Sequence, residues 1–135
     1  MRNNRLKILI VDDSSVVRSL LADLVNELDG VQVVGTARDG SEALALVRRH
    51  EPDFVTLDLR MPGVDGRAVL AELKAIEHPP TVAVLTNFPF VEARRHCMDL
   101  GADYFLDKMA EMHVLIQVLR EAAAAQETIS DERGS

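Results

Sequence analysis

Apolar runs of four to six residues recur along this chain, each giving way to polar residues at its trailing edge. KILIV precedes Asp12, DFVTL runs up to Asp58, TVAVL precedes Thr86, and YFL lies just before Lys108. Runs of that length bounded by polar residues predict buried strands. The expected strands are Leu6 to Val11, Val31 to Ala37, Phe54 to Asp58, Thr81 to Leu85 and Asp103 to Leu106.

Helical spacing fills the gaps. Val17, Leu20, Leu21, Leu24 and Leu28 fall on one face of a first helix, which Ser14 or Ser15 can cap and Asp29-Gly30 ends. Ser41 is the expected cap of a second helix from Glu42 to His50, and Pro52 hands the chain to the central strand. A loop from Leu59 to Gly66 carries Pro62, Gly63 and Gly66. A third helix, about Arg67 to Glu77, turns Val69, Leu70, Leu73 and Ile76 inward and breaks at His78-Pro79-Pro80. A fourth starts near Pro89, runs to about Leu100 and stops at Gly101. The last, about Glu111 to Ala125, carries Met112, Leu115, Ile116, Leu119 and Ala122 on one stripe.

Five β-then-α units with right-handed crossovers predict an α/β fold: a doubly wound, five-stranded parallel sheet in the flavodoxin-like order 2-1-3-4-5. Such sheets bind ligands outside the carboxyl ends of their strands. In that order the first and third strands are neighbours, so Asp12, Asp13 and Asp58 converge at one edge, with Thr86 and Lys108 beside them. Three crowded carboxylates repel one another and call for a cation. All-oxygen ligands of this hardness suit Mg2+, which keeps several waters and takes only one or two carboxylates.

Composition narrows the classes. The 135 residues make one domain, expected over 1–125, with a polar tail over 126–135 that frays. A net charge of −7 argues against nonspecific binding to nucleic acid or an anionic membrane. No apolar stretch nears 20 residues, and MRNNRLK turns straight into a strand without the pattern of a signal peptide. The single cysteine, Cys97, forms no internal disulfide and suits a reducing cytoplasm; it falls on the inward side of its helix with Ala93. His50, His78, His96 and His113 have no metal-ligand spacing and read as surface residues.

A lone aspartate at a strand end is usually a turn or cap residue. Four strand ends carrying matched chemistry are another matter. VDDS after the first strand, LDLRMPGVDG around the end of the third, Thr86 after the fourth and Lys108 in GADYFLDK resemble the receiver domain of bacterial two-component response regulators. The resemblance spans about Leu6 to about Ala125 and is nearest to the stand-alone type represented by the chemotaxis response regulator. It implies that Asp58 is the phosphoacceptor and that Asp13, Asp58 and the backbone carbonyl of Arg60 ligate Mg2+, with Asp12 acting mainly through a bound water. It further implies that Thr86 and Lys108 contact the phosphoryl group, and that Thr86 couples to Phe105 as a switch. The implied partners are a histidine kinase or histidine phosphotransfer protein and a downstream protein, met by a monomer or weak dimer in the cytoplasm. Such a domain is a signalling phosphoacceptor that catalyses its own phosphorylation and slow autodephosphorylation.

The chain departs from the family pattern in places. Met109 stands where receivers usually carry proline after the lysine, which leaves the geometry of that peptide bond open. Asn87 replaces a commonly small residue and would narrow access to Asp58, while Arg60 could pair with a phosphoryl oxygen or shield it. Phe105 lacks a hydroxyl, so any switch there rests on packing. Phe88-Pro89-Phe90 beside the threonine is expected to pack one ring inward and leave the other for a partner. Three other readings compete. The chain could be the receiver half of a longer transcriptional regulator. It could be an aspartate-nucleophile phosphatase, but Arg60 stands where such enzymes place a second aspartate. A flavin-binding protein would need a small, neutral phosphate loop where VDDSS places two carboxylates.

Overall fold

The computed structural model describes residues 5–61 and 64–134, without the side chains of Val64 and of 127–134. Pro62 and Gly63, expected to shape the loop after Asp58, lie outside the described residues. The five expected strands form: β1 (Leu6–Val11), β2 (Val31–Ala37), β3 (Phe54–Asp58), β4 (Thr81–Thr86) and β5 (Tyr104–Asp107). All pair in parallel, in the order β2-β1-β3-β4-β5. The doubly wound arrangement read from the pattern is the observed one.

Alternation along the strands builds two cores. Leu9, Val11, Val55, Leu57, Val82, Val84 and Phe105 face one side of the sheet. There they meet Val47 of α2 (Gly40–His50), Leu70 and Leu73 of α3 (Gly66–Lys74), and Cys97 of α4 (Val91–Asp99). Ile8, Ile10, Phe54, Ala83, Leu85 and Leu106 face the other side. They pack on Leu21 and Val25 of α1 (Ser15–Asn26) and on Leu115 and Leu119 of α5 (Met112–Gly134). Every residue of β3 is buried, as a central strand covered on both faces requires.

Several expectations need correction. Ser14 caps α1, accepting from Val17 N, but the buried face is Leu21 and Val25 while Leu20 is exposed. The cap of α2 is Asp39, not Ser41: in extended conformation its carboxylate accepts from Glu42 N at 2.8 Å and the helix starts at Gly40. α3 stops at Lys74 rather than Glu77; Ile76 still packs on the core from the loop that follows. α4 begins at Val91, two residues after Pro89, and its N-cap Phe90 offers no side-chain bond. The last helix, expected to end at Ala125, continues to Gly134.

A short antiparallel ribbon, Arg60–Met61 with Val64–Asp65, carries the chain from β3 into α3. Gly66 follows where the backbone folds against itself. A Cβ there would lie 2.6 Å from the Leu59 carbonyl oxygen and 2.7 Å from its Cα, so only glycine lets α3 start this close to the acidic edge.

Candidate functional site

The acidic edge assembles as its strand order requires. Ligand oxygens of Asp12, Asp13 and Asp58 lie within 4.8 Å of one another. Asp12 is 1 % exposed and Asp58 6 %, whereas Asp13 faces solvent. Lys108 reaches in from the end of β5 and places Nζ 2.6 Å from Asp12 Oδ2 and 3.4 Å from Asp58 Oδ2. The other oxygen of each buried carboxylate is held by the backbone. Ser14 N donates to Asp12 Oδ1 at 2.9 Å, and Arg60 N donates to Asp58 Oδ1 at 3.2 Å. Arg18 Nη1 donates to the carbonyl of Asp12 at 2.7 Å and braces the turn into α1.

Burial pushes the Asp58 carboxyl up to about 6, against the pull of the Lys108 ammonium and the Arg60 amide; the Asp12 charge raises it further. Three carboxylates against one ammonium leave a surplus of negative charge. Hard oxygen donors this close together, with unused lone pairs, fit a small divalent cation. An open cavity of about 270 Å³ lies over the group, bounded by Asp12, Asp13, Asp58, Lys108, Arg60, Asn87 and Phe88 as well as Ser14 and Val17. Asn87 does form part of its wall.

Thr86 is placed less simply. It is one residue beyond Leu85, the register partner of Asp58, and is 2 % exposed. Alternation puts Thr86 in the row of Val82 and Val84, toward α4, while Asp58 continues the row of Phe54 and Thr56, toward α1 and α5. Its hydroxyl accepts from Phe88 N at 3.0 Å. It borders a second cavity of about 160 Å³, which Leu59, Asp65, Arg67, Phe90 and Ala93 also line. Arg60 and Phe88 border both cavities and form the wall between them. Phe105, two strand residues before Asp107, is buried on the same face as Thr86.

The Lys108–Met109 bond is trans, since the described residues contain no cis peptide. Asp107 Oδ1 accepts from Met109 N at 2.9 Å and Ala110 N at 3.1 Å, fixing the turn with an amide that a proline would lack. The expectation that one ring of Phe88-Pro89-Phe90 packs inward is not met. Phe88 is 42 % exposed and Phe90 63 %, and they stack on each other at 6.3 Å between centroids. Phe88 is instead covered by Arg60, whose Cζ lies 3.9 Å from the ring centroid. That contact escaped the sequence reading, although each residue stands two positions after a site residue on adjacent strands. Cys97 is buried as expected. Of the histidines, His78, His96 and His113 are exposed, His50 is half-buried, and His96 Nδ1 lies 3.2 Å from Arg67 Nη1.

Comparison with known proteins agrees. The family model of the response regulator receiver domain matches residues 8–120, and the chain belongs to that family. A protein-glutamate methylesterase/protein-glutamine glutaminase from Methanospirillum hungatei is 36 % identical over 105 residues, 76 % of this chain and 31 % of that protein. The chain thus spans under a third of the length of the curated relatives it matches. Among solved structures, the receiver domain of a NarL response regulator from Mycobacterium tuberculosis superposes with a TM-score of 0.80 at 29 % identity, covering 89 % of this chain and 97 % of that one. A CheX-CheY-BeF3-Mg complex from Borrelia burgdorferi gives a TM-score of 0.78 at 27 % identity, covering 87 % and 88 %. The protein is a response regulator receiver domain, a signalling module of two-component systems. No helix of the described residues is long and apolar enough to cross a membrane.

Proposed function

We propose that Asp58 is the phosphoacceptor and that its phosphorylation, dependent on Mg2+, switches the binding of a protein partner or passes the phosphoryl group along a relay. The observation that carries this reading is the buried Asp58 carboxylate sharing Lys108 with Asp12, with Asp13 inside the same 4.8 Å cluster. Oxygens of Asp13 and Asp58 and the carbonyl of Arg60 would hold the cation, with Asp12 acting through a bound water. The bound ion would neutralise phosphoryl oxygens and hold the donor in line.

The remaining chemistry falls to the chain. A carboxylate oxygen of Asp58 forms the O–P bond as the N–P bond of a phosphohistidine breaks. The departing imidazole keeps the electron pair and regains a proton from solvent. Lys108 stands beside the charge that gathers on the transferred group, and the Thr86 hydroxyl binds a phosphoryl oxygen once it leaves Phe88 N. The donor is a histidine kinase or histidine phosphotransfer protein in the cytoplasm, and the domain acts as a monomer or weak dimer with no catalytic activity beyond its own phosphorylation and dephosphorylation.

Acetyl phosphate with Mg2+ tests the reading. One acid-labile phosphoryl group per chain is expected, and none on Asp58→Asn. Full labelling of that variant would sink the assignment, and sustained multiple-turnover hydrolysis would favour the phosphatase. A second reading, the receiver half of a longer regulator, is favoured by the length of the matched methylesterase relatives. In that case phosphorylation of Asp58 would act on an attached domain.

A further inference from the structure

The Arg60 guanidinium occupies an unusual position for a cation beside a surplus of carboxylates. Its own amide touches Asp58 Oδ1, yet the guanidinium makes no ion pair with any described residue and lies over the Phe88 ring, its Cζ 3.9 Å from the centroid. The aromatic ring holds it on the partition between the two cavities. A phosphoryl group on Asp58 would change that balance, because it brings several acceptor oxygens and added negative charge into the cavity that Arg60 already borders. A planar guanidinium binds such oxygens through paired, charge-assisted hydrogen bonds, which outweigh a stack on a half-exposed ring.

We propose that Arg60 is a second cationic ligand of the phosphoryl group, held in reserve on Phe88 and transferred to the phosphoryl oxygens when Asp58 is modified. This rests on the reading of Asp58 as the phosphoacceptor. The transfer has a structural consequence. Phe88 loses its cover on one face, while its amide is bonded to Thr86 Oγ1 and its ring to Phe90 at the start of α4. Removing Arg60 from the partition opens the wall between the cavities and gives the Thr86 hydroxyl a route to the phosphoryl oxygens. The same displacement shifts the exposed Phe88–Phe90 pair, so the acceptor is coupled to the protein surface through a side chain outside the Thr86–Phe105 pair.

Beryllofluoride with Mg2+ supplies the probe, read by two nuclei. Fluorine resonances report whether the mimic is bound, and the side-chain resonances of Arg60 report whether it still lies over the ring. In the free protein the Arg60 Hδ protons are shifted upfield by Phe88, and Phe88→Leu abolishes that shift. On binding, the wild-type shift collapses and the Arg60 Hε becomes protected from exchange. Arg60→Gln keeps the backbone carbonyl and weakens beryllofluoride binding about tenfold. Phe88→Leu removes the competing stack and tightens it a few-fold, an effect that disappears in the Arg60→Gln background. Bound fluoride with Arg60 still over the ring, or an equal effect of Phe88→Leu in both backgrounds, would overturn the transfer alone. Absence of bound fluoride in the wild type would remove the phosphoacceptor reading and this inference with it.

Discussion

The two strand-end regions over β3 and β4 are built on opposite principles. Around Asp58 the two buried carboxylates are fixed from two directions: Asp12 and Asp58 each accept from a backbone amide on one oxygen and face Lys108 with the other. Around Thr86 the chain is loosely held. Phe88 and Phe90 are exposed, α4 begins without a side-chain cap, and two local bonds hold the turn, Phe88 N to Thr86 Oγ1 and Phe90 N to the Phe88 carbonyl. On the proposed reading the first region preorganises charge for chemistry, while the second has little to lose by moving. A switch needs both, because a ligand can bias only an element whose alternatives lie close in free energy.

The contrast is broken most severely at Lys108. Its side chain is 9 % exposed and pairs with the buried carboxylate of Asp12, so Lys108→Met leaves two buried carboxylates without a counter-charge. In EDTA this should cost about 3–5 kcal/mol in urea unfolding. Added Mg2+ should recover more stability in the variant than in the wild type. Equal losses with and without the ion would mean that Lys108 and the cation do not share these carboxylates.

Asp58→Asn should act in the opposite direction. The folded-state value of about 6 lies above the ordinary 3.8, so the native state holds this proton more tightly than the unfolded chain. The associated stability is fully present below pH 4 and is lost as pH rises through about 6. Without metal, the variant should therefore gain on the wild type between those values and stay up to about 3 kcal/mol more stable above them. Parallel stability–pH curves for the two proteins would show that burial does not penalise this carboxylate.

Gly66→Ala comes next, since its Cβ would meet the Leu59 backbone rather than a flexible side chain. A loss of about 1–3 kcal/mol is expected, together with weaker Mg2+ binding, because the displaced segment carries the Arg60 amide held by Asp58. Unchanged metal affinity would separate the glycine contact from the geometry of the site.

The sequence was most legible where burial enforced a pattern. β1 and β3 match their apolar runs because strands covered on both faces must be apolar almost throughout. The acidic cluster followed from strand order alone, since Asp12 and Asp58 end neighbouring strands. Helix ends were less legible. Asp39 and Ser41 are both good caps, and only the extended backbone at Asp39 decides between them. Of the face expected for α1, Val17, Leu21 and Leu28 do pack on the core, but Leu20 and Val25 are equally apolar, and the packing partner rather than the spacing selects Val25. The Arg60–Phe88 stack joins the short ribbon after β3 to the loop after β4, and no period along the chain encodes such a contact.

The smallest effect separates the two regions most cleanly. Phe90 is the more exposed of the two rings and caps α4 without a side-chain bond, so Phe90→Ala should change stability by about 0.5 kcal/mol or less. It touches neither the carboxylates nor Lys108, and phosphorylation by acetyl phosphate should proceed at the wild-type rate. The stack with Phe88 is nevertheless lost, and with it the link from the acceptor wall to the first turn of α4. On adding beryllofluoride, amides from Val91 to Ala93 should therefore shift less in Phe90→Ala than in wild type, while those near Asp13 and Asp58 shift equally. If the α4 shifts persist undiminished, the signal reaches that helix through Thr86 and Phe105 beneath it, and the exposed rings are passengers.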